Sequence, residues 1–111
     1  MQFLIIGRDG TDDAAMSRRL AVRDAHIALG EKLRVAGNMW YGAALLNDHH
    51  QMIGSMLLMD FKDDRELRDW LDIEPYMTGK VWEQVEVQKC NVRDPWQFNR
   101  PQAWFEQRKS H

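Results

Sequence analysis

The run MIGSMLLMDF, Met52 to Phe61, constrains the fold of this chain more than any other stretch. Successive side chains of a strand point to opposite faces of a sheet. Met52, Gly54, Met56 and Leu58 share one face here, Ile53, Ser55, Leu57 and Met59 the other, and both sets are largely apolar. A strand with two apolar faces has to be covered on both. The fold must therefore supply helices on one side and a second apolar layer on the other.

The rest of the pattern says how. QFLIIGR is a short apolar run that breaks into the polar cluster RDGTDD, which suits a buried strand followed by a turn. From Asp12 or Asp13, either of which can cap a helix, no proline interrupts the chain before Ala36, and Gly37-Asn38 supplies a stop. Val22, Ala25, Leu29 and Leu33 form the apolar face of this first helix. NMWYGAALL and the Met52 run flank NDHH, a polar tetrapeptide of hairpin length. DDRELRDWL reads as a second helix capped by Asp63 or Asp64, with Leu67, Trp70 and Leu71 on one side, and VWEQVEVQ as a last strand. The order β-α-β-β-α-β predicts a ferredoxin-like α+β fold, with two helices on one face of an antiparallel sheet. The bare face is expected to meet the same sheet of a second copy across a two-fold axis, giving a homodimer.

Composition narrows the partners. The 111 residues fit one domain, and 44% hydrophobic with 29% charged residues is globular rather than disordered. Fifteen basic against 17 acidic residues leave no excess charge to neutralise a phosphate backbone, so no nucleic-acid partner is expected. Cys90 is the only cysteine, which excludes an intrachain disulfide and fits a reducing compartment. The apolar run near the N-terminus is too short for a membrane span and lacks the basic lead of a signal peptide, so a soluble, cytoplasmic protein with no membrane partner is expected. Residues 1–90 make the ferredoxin-like domain. The extension 91–111 carries Trp96, Phe98, Trp104 and Phe105, and is expected to pack on a second apolar strip of the first helix, Met16, Leu20 and Ile27, or on the partner subunit.

The candidate chemistry centres on His26. At about 100° per residue, Arg19, Arg23, His26 and Gly30 fall within roughly one-sixth of the first helix's circumference, at the rim of its apolar face. Pro75 disfavours helical geometry at Glu74, so the second helix ends there and turns that carboxylate off its axis. With the two helices side by side, Glu74 can approach His26. A carboxylate on one imidazole nitrogen fixes the tautomer and makes the other nitrogen a better general base. Arg19 and Arg23 are candidates to hold an anionic oxygen, and Tyr76 to add a hydroxyl donor. The same residues equally fit a satisfied histidine at the edge of a core with solvated charges around it, and spacing alone leaves both readings open. Asp48, His49 and His50 diverge on a hairpin and read as a solvated turn, with no metal site; Cys90 has no motif around it and reads as a small buried residue. Trp40, Trp70 and Trp82 are expected to be core or pocket walls.

RRLAVRDAHI, the glycine-containing MIGSMLLMDF and the turn EPYMTGKVWEQVEV, in that order and at these separations, resemble the YCII-related family of the dimeric α+β barrel superfamily. The resemblance spans about residues 1 to 90; its most specific elements are the arginine three residues before the histidine and the acidic-Pro-Tyr turn. It implies homodimers of ferredoxin-like subunits with paired sheets, and a His-carboxylate dyad in a small cleft. His26 matches the histidine and Arg23 the arginine, whereas the usual Asp-Pro-Tyr is here Glu74-Pro75-Tyr76, which moves the carboxylate by about 1.5 Å. The implied activity is that of a lyase or isomerase acting on a small molecule, often aromatic or lactone-like, without a redox cofactor. A non-catalytic small-molecule binding module and a purely structural homodimer are the alternatives.

Overall fold

Residues 1–93 are described by the computed structural model. The first apolar run becomes β1 (Gln2–Asp9), a central strand of a four-stranded sheet. A long helix, α1 (Ala15–Ala36), follows, then the hairpin of β2 (Met39–Leu46) and β3 (Met52–Asp60), the helix α2 (Asp64–Ile73), a single turn α3 (Pro75–Thr78), and β4 (Trp82–Cys90). The strands run in the order β2-β3-β1-β4, every neighbouring pair antiparallel. This is the ferredoxin-like α+β arrangement, with one addition to the expected order. Glu74, extended at φ −62° and ψ 122°, both ends α2 and starts α3, because the proline after it excludes continued α geometry.

The helix ends are set by local chemistry. Gly37 closes α1 in the left-handed region, φ 89°, where its amide and that of Asn38 return to the carbonyls of Arg34 and Leu33. Asp63 caps α2 by accepting the Glu66 amide at 2.9 Å. The start of α1 departs from expectation: Ala14 holds the cap position and offers no side-chain acceptor. Asp12 is engaged instead by Arg18, at 2.6 and 2.8 Å, and that guanidinium holds the carboxyl down to about 2. Arg18 Nε also donates to the Lys80 carbonyl, tying the loop after β1 to the loop before β4.

The core lies between sheet and helices. Phe3 and Ile5 of β1 oppose Met59 and Leu57 of β3, and these four pack with Phe61, Leu67, Trp70, Tyr76, Val81 and Trp82. Val22, Leu29 and Leu33 of α1 close over them, while Ala25 of the expected face stays exposed. The alternate residues Leu4, Ile6, Met56 and Leu58 share the other face, paired across β1 and β3 and only half-buried. Leu20 and Ile27 of α1 are about half exposed; the aromatic extension expected to cover them lies outside the described residues from position 94 onward.

Gly7 fixes how β4 enters the sheet. A Cβ at this position would stand 2.4 Å from the Trp82 ring, so only glycine lets the indole lie flat against β1. Gly7→Ala is therefore expected to lower stability by about 1–3 kcal/mol through overpacking, read as a lower urea midpoint with a changed tryptophan emission. An unchanged midpoint and spectrum would show that the indole has room to move.

Candidate active site

The cleft is built where α1 fails to cover β2. Gly42 and Ala44, which pair with the helix-side Leu57 and Ser55 of β3, carry too little side chain to reach the helix, and a cavity of about 240 Å³ opens between α1, β2 and β3. Arg19, Arg23, His26 and Ile27 form its helical wall, Ser55 and Leu57 line it from β3, and Tyr76 from α3. A larger hollow, about 490 Å³, lies beyond the end of β1 against Arg8, Asp12, Asp13 and Met52, with no histidine or cysteine among the described residues that line it.

Glu74 is 2% exposed. Its Oε1 accepts the Tyr76 amide at 3.3 Å and is hydrogen-bonded to His26 Nδ1. The carboxylate thus sits behind the imidazole, whose side chain remains 15% exposed on the cleft wall. Nε2 has no hydrogen-bond partner among the described residues. Tyr76 stacks on the imidazole with centroids 3.8 Å apart and planes 10° from parallel. Trp82 meets both rings edge-on, 6.2 Å from His26 and 5.7 Å from Tyr76. Three packed rings and a buried carboxylate leave the imidazole little freedom to rotate. Burial pushes the Tyr76 phenol above its ordinary range, against the opposing pull of Arg19 and Arg23, so it stays protonated.

The two arginines are placed differently. Arg23 is exposed and makes no ion pair or hydrogen bond among the described residues, leaving a whole positive charge at the cleft. Arg19 is 2% exposed and already engaged. Its Nη1 donates to both Asp9 oxygens at 3.0 and 2.9 Å, its Nη2 to the Gly54 carbonyl and to Ser55 Oγ at 3.1 Å each, and its carbon Cζ lies 4.7 Å from the Tyr76 centroid. Asp9 and Ser55 were not among the residues expected at the site. The signal for Ser55 was present, since it is the one hydroxyl within an apolar strand and needs a partner when buried.

The hairpin residues behave as a turn. Asn47 Oδ1 accepts the amides of His49 and Gln51, and the Asp48, His49 and His50 side chains point to solvent. Trp70 and Trp82 are buried as core and wall; Trp40 is half-buried and donates to the Gly37 carbonyl at the end of α1.

The sequence model of the YCII-related domain matches residues 1–91. The chain belongs to the YCII-related domain family. No curated protein matches it in sequence. A similar solved structure is the 5-chloro-2-hydroxyhydroquinone dehydrochlorinase of Burkholderia phenoliruptrix, in complex with 2,5-dihydroxybenzoquinone. The TM-score is 0.71 at 23% identity, over 82% of this chain and 94% of that one. That likeness establishes a shared fold for the YCII-related domain, and the ligand in that complex is a small quinone. No helix among the described residues is long and apolar enough to cross a membrane.

Proposed function

We propose that this YCII-related protein is a small-molecule lyase or isomerase in which His26 is the general base and Glu74 its orienting acid. The observation that carries the reading is the pairing of one imidazole nitrogen with a buried carboxylate while the ring lines an open cleft. Glu74 holds Nδ1 as the N–H tautomer, which leaves the Nε2 lone pair to take a proton from carbon or oxygen of a ligand. Negative charge then develops on the ligand, and Arg23, with no counter-ion among the described residues, steadies it. The protonated Tyr76 phenol adds a donor beside it. The similar dehydrochlorinase supports the substrate class, a small hydroxylated ring. The first test is chloride release from 5-chloro-2-hydroxyhydroquinone, then a screen of compounds with an acidic proton beside a carbonyl. Saturable binding without turnover across that screen would make the chain a binding module instead.

The working unit of this reading is a homodimer. Leu4, Ile6, Met56 and Leu58 form an apolar sheet face with no helix over it among the described residues, and a second copy of the same face is its economical cover. Sedimentation is expected to give twice the chain mass. Leu58→Glu, which puts charge in the middle of that face, is expected to halve it; a monomeric parent chain would end the proposal.

A further inference from the structure

One end of the cleft is closed by a single apolar side chain. Along α1, Arg19, Arg23 and His26 line the cleft from one stripe of the helix, and Gly30 continues that stripe about 6 Å beyond His26 along the axis. Met39, the first residue of β2, lies against this last turn, half-buried, packed on the core and bordering the cleft. Two glycines make room for it. A Cβ at Gly30 would stand 3.2 Å from the Met39 sulfur, and one at Gly42 would stand 2.6 Å from its terminal methyl. Ordinary contacts between such atoms are about 3.5–4.0 Å, so a side chain at either glycine would push the thioether aside. Met39 thus fills, between helix and strand, space that two other residues leave vacant. The cleft that remains, about 240 Å³, falls below the roughly 300–1,000 Å³ of pockets that enclose larger ligands.

We propose that Met39 is the specificity-determining end wall of this cleft and limits its ligand to a single ring. This rests on reading the cleft as a small-molecule site. The axial distance from His26 to Gly30, about 6 Å, is the breadth of one six-membered ring, so a ring beside the imidazole already reaches the thioether. Wedged between Gly30 and Gly42, a normally adaptable side chain acts as a fixed wall. Its sulfur is soft and polarisable and favours the edge of a flat ring. A second, fused ring on that side collides with the thioether, and a carboxylate there gives up its water to an apolar surface with nothing in return. The ligand class that follows is a monocyclic compound, such as a one-ring hydroxyquinone, whose C–H edge meets Met39.

Calorimetric titration of the full chain with 2,5-dihydroxybenzoquinone and with the two-ring 2-hydroxy-1,4-naphthoquinone tests this. The parent chain is expected to bind the single ring about tenfold more tightly than the double one. M39A, which takes the sulfur and its methyl from the end of the cleft, is expected to bind the naphthoquinone about tenfold more tightly than the parent does and so to lose the preference. M39L, of similar volume, is expected to keep the parent's preference within about threefold. Should M39A not fold, M39V replaces it, with a gain of about threefold for the naphthoquinone. A parent chain that does not prefer the single ring overturns the end wall, as does M39A, or M39V where it stands in, with the parent's preference unchanged. In both cases, binding of the single ring leaves the cleft reading in place. A parent chain that binds neither quinone removes the cleft reading, and the end wall with it.

Discussion

Asp9→Ala is expected to lower the unfolding free energy by about 3–5 kcal/mol, a large share of the total stability of a domain this size. The Arg19 and Asp9 side chains are 3% and 4% exposed, and one guanidinium nitrogen bonds both carboxylate oxygens. A guanidinium cannot lose its proton to escape burial, so removing Asp9 leaves a full charge in the core with no counter-ion among the described residues, facing the Gly54 carbonyl, the Ser55 hydroxyl and the Tyr76 ring. The loss comes from the stranded charge more than from the worth of the pair. The double variant Asp9→Leu with Arg19→Met, which removes both charges, is therefore expected to recover most of it. Urea unfolding followed by tryptophan fluorescence, at one protein concentration, decides the matter. A loss below about 1 kcal/mol in the single variant would place the pair in water, where surface bridges contribute that little.

That network also shows where reading the sequence stops. Strand and helix order was legible because each element carries its own signal: short apolar runs in β1 and β3, a 3.6-residue repeat in α2, and a proline-free run closed by Gly37 in α1. The Glu74 turn was legible because Pro75 restricts the residue before it. Arg19 marks the limit. Arg19 and Arg23 lie one helical turn apart on nearly the same face, and periodicity cannot distinguish them. In the fold the Arg19 guanidinium reaches down to Asp9, while Arg23 stays exposed at the cleft. Asp9 itself reads as part of a polar turn, RDGTDD, and its partner is ten residues ahead on another element. The cleft has no sequence signature either. It exists because Gly42 and Ala44 are small where α1 passes over β2, a fact about the spacing of two elements. The contact between His26 and Glu74 follows from fold geometry; the chemistry assigned to it is a matter for kinetics.

His26→Ala is expected to reduce turnover by about 10²–10⁴-fold, the usual worth of a positioned proton-transfer group, while the chain remains folded. The ring is partly exposed and stacks on Tyr76, so its loss costs some packing, and thermal melting beside each rate measurement separates that cost from chemistry. Variants at Glu74 then isolate the carboxylate's part. Glu74→Gln keeps the shape and an acceptor for the Tyr76 amide but removes the charge that stabilises an imidazolium, so its rate should fall between parent and H26A. Glu74→Asp keeps the charge and draws it back by about 1.5 Å, beyond the roughly 2.6–3.2 Å within which Nδ1 can be held. Here the backbone at residue 74 is fixed by Pro75 and by two helix ends, so it cannot follow the shorter side chain. The aspartate variant should therefore behave like glutamine rather than like the parent, even though aspartate is the acid the family resemblance leads one to expect. Parent-like rates in both Glu74 variants would show that the imidazole is held by its ring contacts alone, and full activity in H26A would remove the histidine from the reaction altogether.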